Sequence, residues 1–146
     1  MSENIIVRNA GPEDIEDMAL LMTQLGYPTS PREMRIRFES IASHPDYCTL
    51  IARAGDEIVG LAGLVKGLYY EYNGEYLRIL AFVVKESGRK RGIGRVLLKA
   101  CEQWGVSQGL NVAVLNSGNR AAREAAHAFY QKMGYKIKSS GFIKQL

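Results

Sequence analysis

Arg89-Lys90-Arg91-Gly92-Ile93-Gly94-Arg95 separates an apolar run, Ile79 to Val84, from an amphipathic one, Val96 to Trp104. The three pieces read as a strand, an anion-binding loop and a helix. Gly92 and Gly94 let the backbone turn tightly and approach a ligand without side-chain obstruction. The amides that open a helix lack internal acceptors and favour a phosphate. Charge gathers at the same place: Lys85 to Lys99 hold six basic residues and one acid, a net of +5, against +4 for all 146 residues. The remainder is close to neutral. Basicity confined to one glycine-containing loop points to a compact polyanion rather than to the extended basic surface of a nucleic-acid binder.

The chain is 47% hydrophobic, long enough for one sizeable core and short for two. We expect a single domain over residues 1–146. No apolar run approaches the ~18 residues of a membrane span. The start, Met-Ser-Glu-Asn, has no basic-then-apolar leader. Cys48 and Cys101 are far apart, without metal-ligand spacing or a neighbouring His, so buried thiols in a reducing compartment are expected. The expectation is a cytoplasmic protein with neither a metal site nor a membrane anchor.

Reading outward, Ile5-Ile6-Val7 is a short strand. Pro12-Glu13-Asp14 starts a helix with Ile15, Met18, Ala19, Leu21, Met22 and Leu25 at helical spacing, closed by Gly26. Ser30-Pro31-Arg32-Glu33 satisfies a capping box for a second helix that buries Met34, Phe38 and Ile41. Tyr47 to Ala52 and Glu57 to Val65 read as strands joined at Gly55-Asp56, and a third runs from about Tyr76 to Val84. Val96, Leu97, Ala100, Cys101 and Trp104 make a helical stripe, and Gly109 precedes a strand with Val112 and Val114. Ala122, Ala125, Ala126, Phe129 and Met133 mark a last helix ended by Gly134; Tyr135 to Lys138 and Phe142 to Lys144 are expected final strands. The class is α+β.

The loop is not of the Walker type, which needs Gly-Lys followed by Ser or Thr, whereas Arg95-Val96 follows Gly94. It is not the dinucleotide fingerprint either: Leu97 stands at the third glycine position and no βαβ repeat follows. What remains is Arg-x-x-Gly-x-Gly after an apolar strand, which resembles the acetyl-CoA motif of the GNAT superfamily of N-acetyltransferases. A second segment, Arg123 to Tyr135, resembles that family's Ala-x-x-Phe-Tyr-x-x-x-Gly-Phe/Tyr signature, and the element order matches over nearly the whole chain.

The resemblance implies one GNAT-like domain with a central mixed, largely antiparallel sheet of six to seven strands and about four helices. It implies acetyl-CoA as cosubstrate and transfer of its acetyl group to a primary amine by direct attack on the thioester. The backbone of Arg91, Gly92, Ile93, Gly94 and Arg95 would hold the pyrophosphate, and Arg89 and Lys90 would add charge. Phe82, Val83 and Val84 would pair with the pantetheine arm through their backbone. Tyr130 falls where the family faces a tyrosine toward the CoA sulfur, and a phenol of pKa about 10 can protonate a thiolate.

No carboxylate stands between Leu77 and Val84, where many relatives have a Glu, so the general base is open. Glu71, Glu75 and His127 are weak candidates, each also readable as a surface residue; His44, beside Pro45, reads as a loop residue. Arg123 replaces an Asn frequent in the family. Four of the eight tyrosines lie in Tyr69 to Tyr76, around Asn73-Gly74, a type I′ turn signal. Tyr70 and Tyr72, with Tyr27 beyond the first helix, are candidates to contact a small-molecule or peptide amine. Tyrosine pairs also stabilise plain hairpins or homodimer surfaces. The alternative function is a CoA-binding sensor or interaction module of this fold without turnover.

Overall fold

The computed structural model describes residues 4–88, 91–116 and 124–146. Residues 1–114 and 115–146 form two units. In the first, β1 (Ile5–Asn9) leads through a 3-10 turn at Pro12–Asp14 into α1 (Ile15–Leu25) and α2 (Pro31–Ala42). Then come β2 (Tyr47–Ala54), β3 (Glu57–Leu68), β4 (Glu75–Val84), a 3-10 turn at Glu86–Gly88, α3 (Ile93–Ser107) and β5 (Ala113–Leu115), whose last residue begins the second unit. The strands form one mixed sheet in the order β1-β2-β3-β4-β5, with β1 to β4 antiparallel throughout.

The helix boundaries follow from local chemistry. Ser30 caps α2 reciprocally: Glu33 N–H donates to Ser30 Oγ (3.1 Å) and Ser30 N–H to Glu33 Oε1 (2.9 Å). The bond from Ser30 N–H foremost, and then one from the Ser30 side chain, hold the Glu33 carboxyl below its ordinary pKa. α1 and α3 close alike, on a glycine with positive φ, Gly26 (116°) and Gly109 (81°). In each the next amide reaches back five residues, Tyr27 N–H to Met22 O (3.0 Å) and Leu110 N–H to Gly105 O (2.9 Å). That is the Schellman closure, which satisfies carbonyls the helix would otherwise leave unpaired.

Core packing uses both faces of the sheet. Ile15, Met18, Leu21, Met34 and Phe38 of α1 and α2 pack on Ile51, Leu61 and Val83. α3 takes the other face, where Gly60 and Gly105 allow close approach: a methyl group at Gly60 would lie 3.1 Å from Leu97, and one at Gly105 3.1 Å from Leu77. Fully burying a leucine such as Leu97 or Leu98 stabilises by roughly 1.5 to 3 kcal/mol. The ladder is broken twice. Between Gly60↔Ala52 and Ile58↔Arg53 an extra residue, Val59, sits on β3. Between Ile79↔Leu64 and Ala81↔Gly63 an extra residue, Leu80, sits on β4.

In the second unit α4 spans Glu124–Lys132. It closes on Gly134 (φ 96°) with Gly134 N–H on Gln131 O (3.0 Å) and Tyr135 N–H on Tyr130 O (3.0 Å), the same Schellman pattern. Two expectations need correction. The described residues make five strands, not six to seven: Tyr135 to Lys138 and Phe142 to Lys144 form no strand. Alternation marks a segment able to pair, but a strand needs a ladder partner, and Phe142 and Ile143 are 97% and 98% exposed. The Asn73-Gly74 pair does not make a two-residue turn either; six residues, 69–74, connect β3 to β4, with Gly74 at φ 103°. The other hairpin, at Gly55-Asp56, is the tight one expected.

Candidate functional site

The glycine loop is held from three sides. Lys85 N–H donates to Val59 O (2.7 Å), and Glu86 N–H donates to Gln24 Oε1 of α1 (2.9 Å), tying the end of β4 to the first helix. Gly88 is buried under Ile93, whose Cδ1 lies 2.7 Å from where a methyl group on Gly88 would sit. Arg91 Nη1 reaches Ser87 O (3.4 Å). Gly92 then takes the N-cap position of α3 at φ 80°, a left-handed conformation a side chain disfavours. It offers no capping side chain, and the first turn of α3 contains no acid. Val96 N–H bonds back to Gly92 O (3.2 Å). The amides of Ile93, Gly94 and Arg95 therefore open the helix without an acceptor inside it and without a carboxylate in the same turn. Arg91 and Arg95 are exposed beside them. Arg89 and Lys90 lie outside the described residues.

Phe82 to Val84 pair with Gly60 to Ala62 of β3 along one edge of β4. On the other edge β5 is the neighbour, joined where Leu77 N–H donates to Val112 O (2.8 Å). At about 3.3 Å per residue a three-residue strand cannot follow β4 from Leu77 to Val84. The loop and this end of β4 are thus brought together in one place.

The Leu80 bulge decides which side chains face which way. Leu77 meets Gly105 of α3, and Ile79 pairs with Leu64 on that same face. Beyond the bulge Ala81 and Val83 turn to the α1/α2 face, where Val83 joins the core. On the near side of the bulge, Tyr76 and Arg78 share that α1/α2 face with Gly67 and Val65, their register partners. Tyr76 lies flat over Gly67, its ring 2.7 Å from where a methyl group would be, and stacks on Tyr69 (4.9 Å, 33°). Tyr72 meets Tyr69 edge-on (5.4 Å, 89°).

The expected acceptor residues separate accordingly. Tyr72 is in the aromatic cluster, whereas Tyr70 is fully exposed and Tyr27 largely exposed after Gly26. Glu71 and Glu75 are exposed in and beside the 69–74 loop, and His44 is an exposed loop residue whose ring lies tilted against Tyr47 (5.6 Å, 50°). Sequence reasoning noted the four tyrosines of 69–76 but not Arg78, whose face follows from strand alternation hidden by a bulge that local sequence does not announce. Neither cysteine is activated. Burial pushes the Cys101 thiol up to about 12 and raises Cys48 as well. Among the described residues no three His, Cys, Asp or Glu side chains gather as metal ligands, and no helix is long and apolar enough to cross a membrane.

In the second unit Tyr130 is buried, 7% exposed. Its ring meets Phe129 (5.4 Å) and Tyr135 (6.1 Å), the latter across the Schellman closure. The spacing Phe129-Tyr130-x-x-x-Gly134-Tyr135 thus has a structural meaning of its own: Tyr130 and Tyr135 occupy the two positions that this closure brings into contact. His127 is half-buried on the same helix, and Arg123 lies outside the described residues.

Comparison with known proteins converges on one family. The model of the acetyltransferase (GNAT) family matches residues 14–135. None of the curated proteins matches the chain. Among solved structures, a GNAT family acetyltransferase of Staphylococcus aureus is 38% identical, with 100% of each chain covered and a TM-score of 0.83. An aminoglycoside N-acetyltransferase in complex with CoA is 17% identical, covering 100% of this chain and 97% of its own, with a TM-score of 0.86. Glucosamine-6-phosphate N-acetyltransferase from Arabidopsis thaliana is 21% identical, with 98% and 99% covered and a TM-score of 0.79; these last two share the fold. A family match that takes in both the glycine loop and the Phe129-Tyr130 segment, and a relative aligned end to end at 38% identity, place this chain in the GNAT family of acetyltransferases.

Proposed function

We propose that residues 1–146 act as one acetyl-CoA-dependent N-acetyltransferase domain that moves an acetyl group to a primary amine. The observation that carries this reading is the start of α3: a glycine-capped, acid-free helix N-terminus with Arg91 and Arg95 beside it, directly after β4. Those amides fit a diphosphate, which needs several convergent donors and no carboxylate nearby. Arg89 and Lys90 add charge to the same loop. Phe82, Val83 and Val84 offer backbone groups to the amides of the pantetheine arm, as an added strand would.

In the transfer, the neutral amine attacks the thioester carbonyl carbon, the C–N bond forms and the C–S bond breaks. Tyr130 gives its phenolic proton to the departing thiolate, and the amine loses one proton to solvent or a base. Substitution of Tyr130 by Phe keeps the ring that packs on Phe129 and Tyr135 and removes only the hydroxyl. The expected result is a fall in turnover of roughly 10²- to 10⁴-fold with acetyl-CoA affinity retained; unchanged turnover would remove Tyr130 from the chemistry.

The test of the whole reading is release of free thiol from acetyl-CoA across a panel of amines, with acetyl-CoA affinity measured in parallel. Thiol release dependent on an amine supports it. Tight acetyl-CoA binding with no release on any amine would favour a sensor or interaction module of this fold. Tyr27, Tyr70 and Tyr72 are candidates for contact with the acceptor, and their phenylalanine variants belong in the same panel.

A further inference from the structure

β4 passes into the glycine loop through residues 85–88, and their amides find acceptors in different places. Lys85 N–H completes the pairing with β3, on the carbonyl of the bulge residue Val59 (2.7 Å). Gly88 N–H closes the 3-10 turn on Lys85 O (2.8 Å). Glu86 N–H, past the strand and at the start of the turn, has its acceptor in neither. It donates to Gln24 Oε1 (2.9 Å), a side chain 62 residues earlier. Gln24 stands in the last turn of α1, half-buried and outside the hydrophobic core. Its neighbour Thr23 serves a different connection: the hydroxyl donates to Ala19 O (2.9 Å) and accepts Thr29 N–H (3.1 Å), while Thr29 Oγ1 accepts Arg37 Nη1 (3.0 Å) from α2. Two consecutive side chains of α1 thus fasten two separate segments, Thr23 the one after Gly26 and Gln24 the one before the glycine loop.

We infer that Gln24 is a positioning residue for the donor: its side-chain oxygen fixes the first amide of the 86–88 turn and so the point from which the chain sets out toward α3. The inference rests on the acetyltransferase reading above and adds a residue that lies outside both the glycine loop and β4. A donor whose pantetheine arm follows Phe82 to Val84 and whose diphosphate meets the start of α3 touches two elements at once. β3 holds the first element and the α3 packing holds the second, but their spacing depends on the segment between them. That segment is attached by the Gln24 bond, by Gly88 under Ile93 and by Arg91 Nη1 on Ser87 O. Loosening it means that ordering the segment is subtracted from the affinity of any ligand that spans both ends. A glutamine suits the task, since it offers an acceptor oxygen on a long side chain without placing a negative charge on the approach to a diphosphate.

Acetyl-CoA binding by calorimetry, with amide hydrogen exchange of Glu86 read by NMR, tests this in the full chain. Gln24→Met keeps the length and removes the acceptor. The expected result is faster exchange at Glu86 and a dissociation constant for acetyl-CoA raised roughly two- to tenfold, the worth of one hydrogen bond, with kcat at saturating acetyl-CoA little changed. Gln24→Asn, one methylene shorter, should behave like Gln24→Met. Gln24→Glu keeps the acceptor at full length, so Glu86 should exchange slowly again and affinity should match that of the native chain at high salt, where the added charge is screened. Thr23→Val loosens the other connection of the same turn and should leave acetyl-CoA affinity unchanged. Unchanged affinity in Gln24→Met, an equal loss in Thr23→Val, or a Gln24→Glu variant as weak as Gln24→Met at high salt overturns the inference, and amine-dependent thiol release by the native chain then leaves acetyl transfer standing. If the native chain binds no acetyl-CoA, the acetyltransferase reading itself fails and the inference falls with it.

Discussion

Asp14 shows how one residue organises its neighbourhood. Its side chain is 2% exposed, yet it accepts Arg8 Nη1 (2.9 Å), Arg8 Nη2 (3.0 Å) and Gly11 N–H (2.8 Å), fastening β1 to the turn that starts α1. Burial works against its charged form, but the hydrogen bonds from Arg8 and Gly11 and the charge of Arg8 outweigh it and hold the carboxyl below its ordinary value of 3.8. A depressed carboxyl pKa stabilises the fold fully at neutral pH, and that contribution disappears as pH falls through and below the usual carboxylate range. Asp14→Asn should therefore cost roughly 1 to 3 kcal/mol at pH 7, and the gap to the native chain should close in denaturant titrations toward pH 3. Cys101 gives a second expectation at this scale. With its thiol pushed up to about 12 and no exposed surface, it should resist a disulfide reagent at pH 8 in the folded protein and react on unfolding. Released CoA can then be read by thiol reagents against a background limited to Cys48.

Elements were the most legible scale, and the reasons are local. Gly26, Gly109 and Gly134 end their helices because a left-handed residue is needed there, and the residues flanking each glycine then determine what packs across the closure. Ser30 and Glu33 name the start of α2 because each side chain reaches a backbone amide just three residues away. Ser30→Ala should cost about 1 kcal/mol, measured as a lower denaturant midpoint at unchanged slope. Sequence reasoning failed where an element depends on something distant. The alternation of Tyr135 to Lys138 is real, but pairing depends on a partner the segment does not encode. Likewise Asn73-Gly74 can form a tight turn, yet Tyr69 packs on Tyr76 and Tyr72 in a six-residue connection instead.

For the whole molecule, the donor half of the proposed site could be read from a contiguous stretch because a strand, a loop and a helix start are consecutive in the chain. The two faces of the sheet could not. They are set by pairing across β2, β3 and β4, and counting along β4 puts Arg78 among the even-numbered positions with Leu80 and Phe82. The Leu80 bulge undoes that count. Losing Leu80 would restore a regular ladder and leave Arg78 opposite Val65, whereas keeping Leu80 but pairing it with Leu64 would turn everything before it over, driving Arg78 into the packing beneath α3 and bringing Leu77 and Ile79 out on the α1/α2 face. Aligned relatives that keep this residue in the ladder would therefore present different side chains on that face at the same numbered distance from the glycine loop. What such a family exposes there can diverge by a shift in phase as readily as by a substitution.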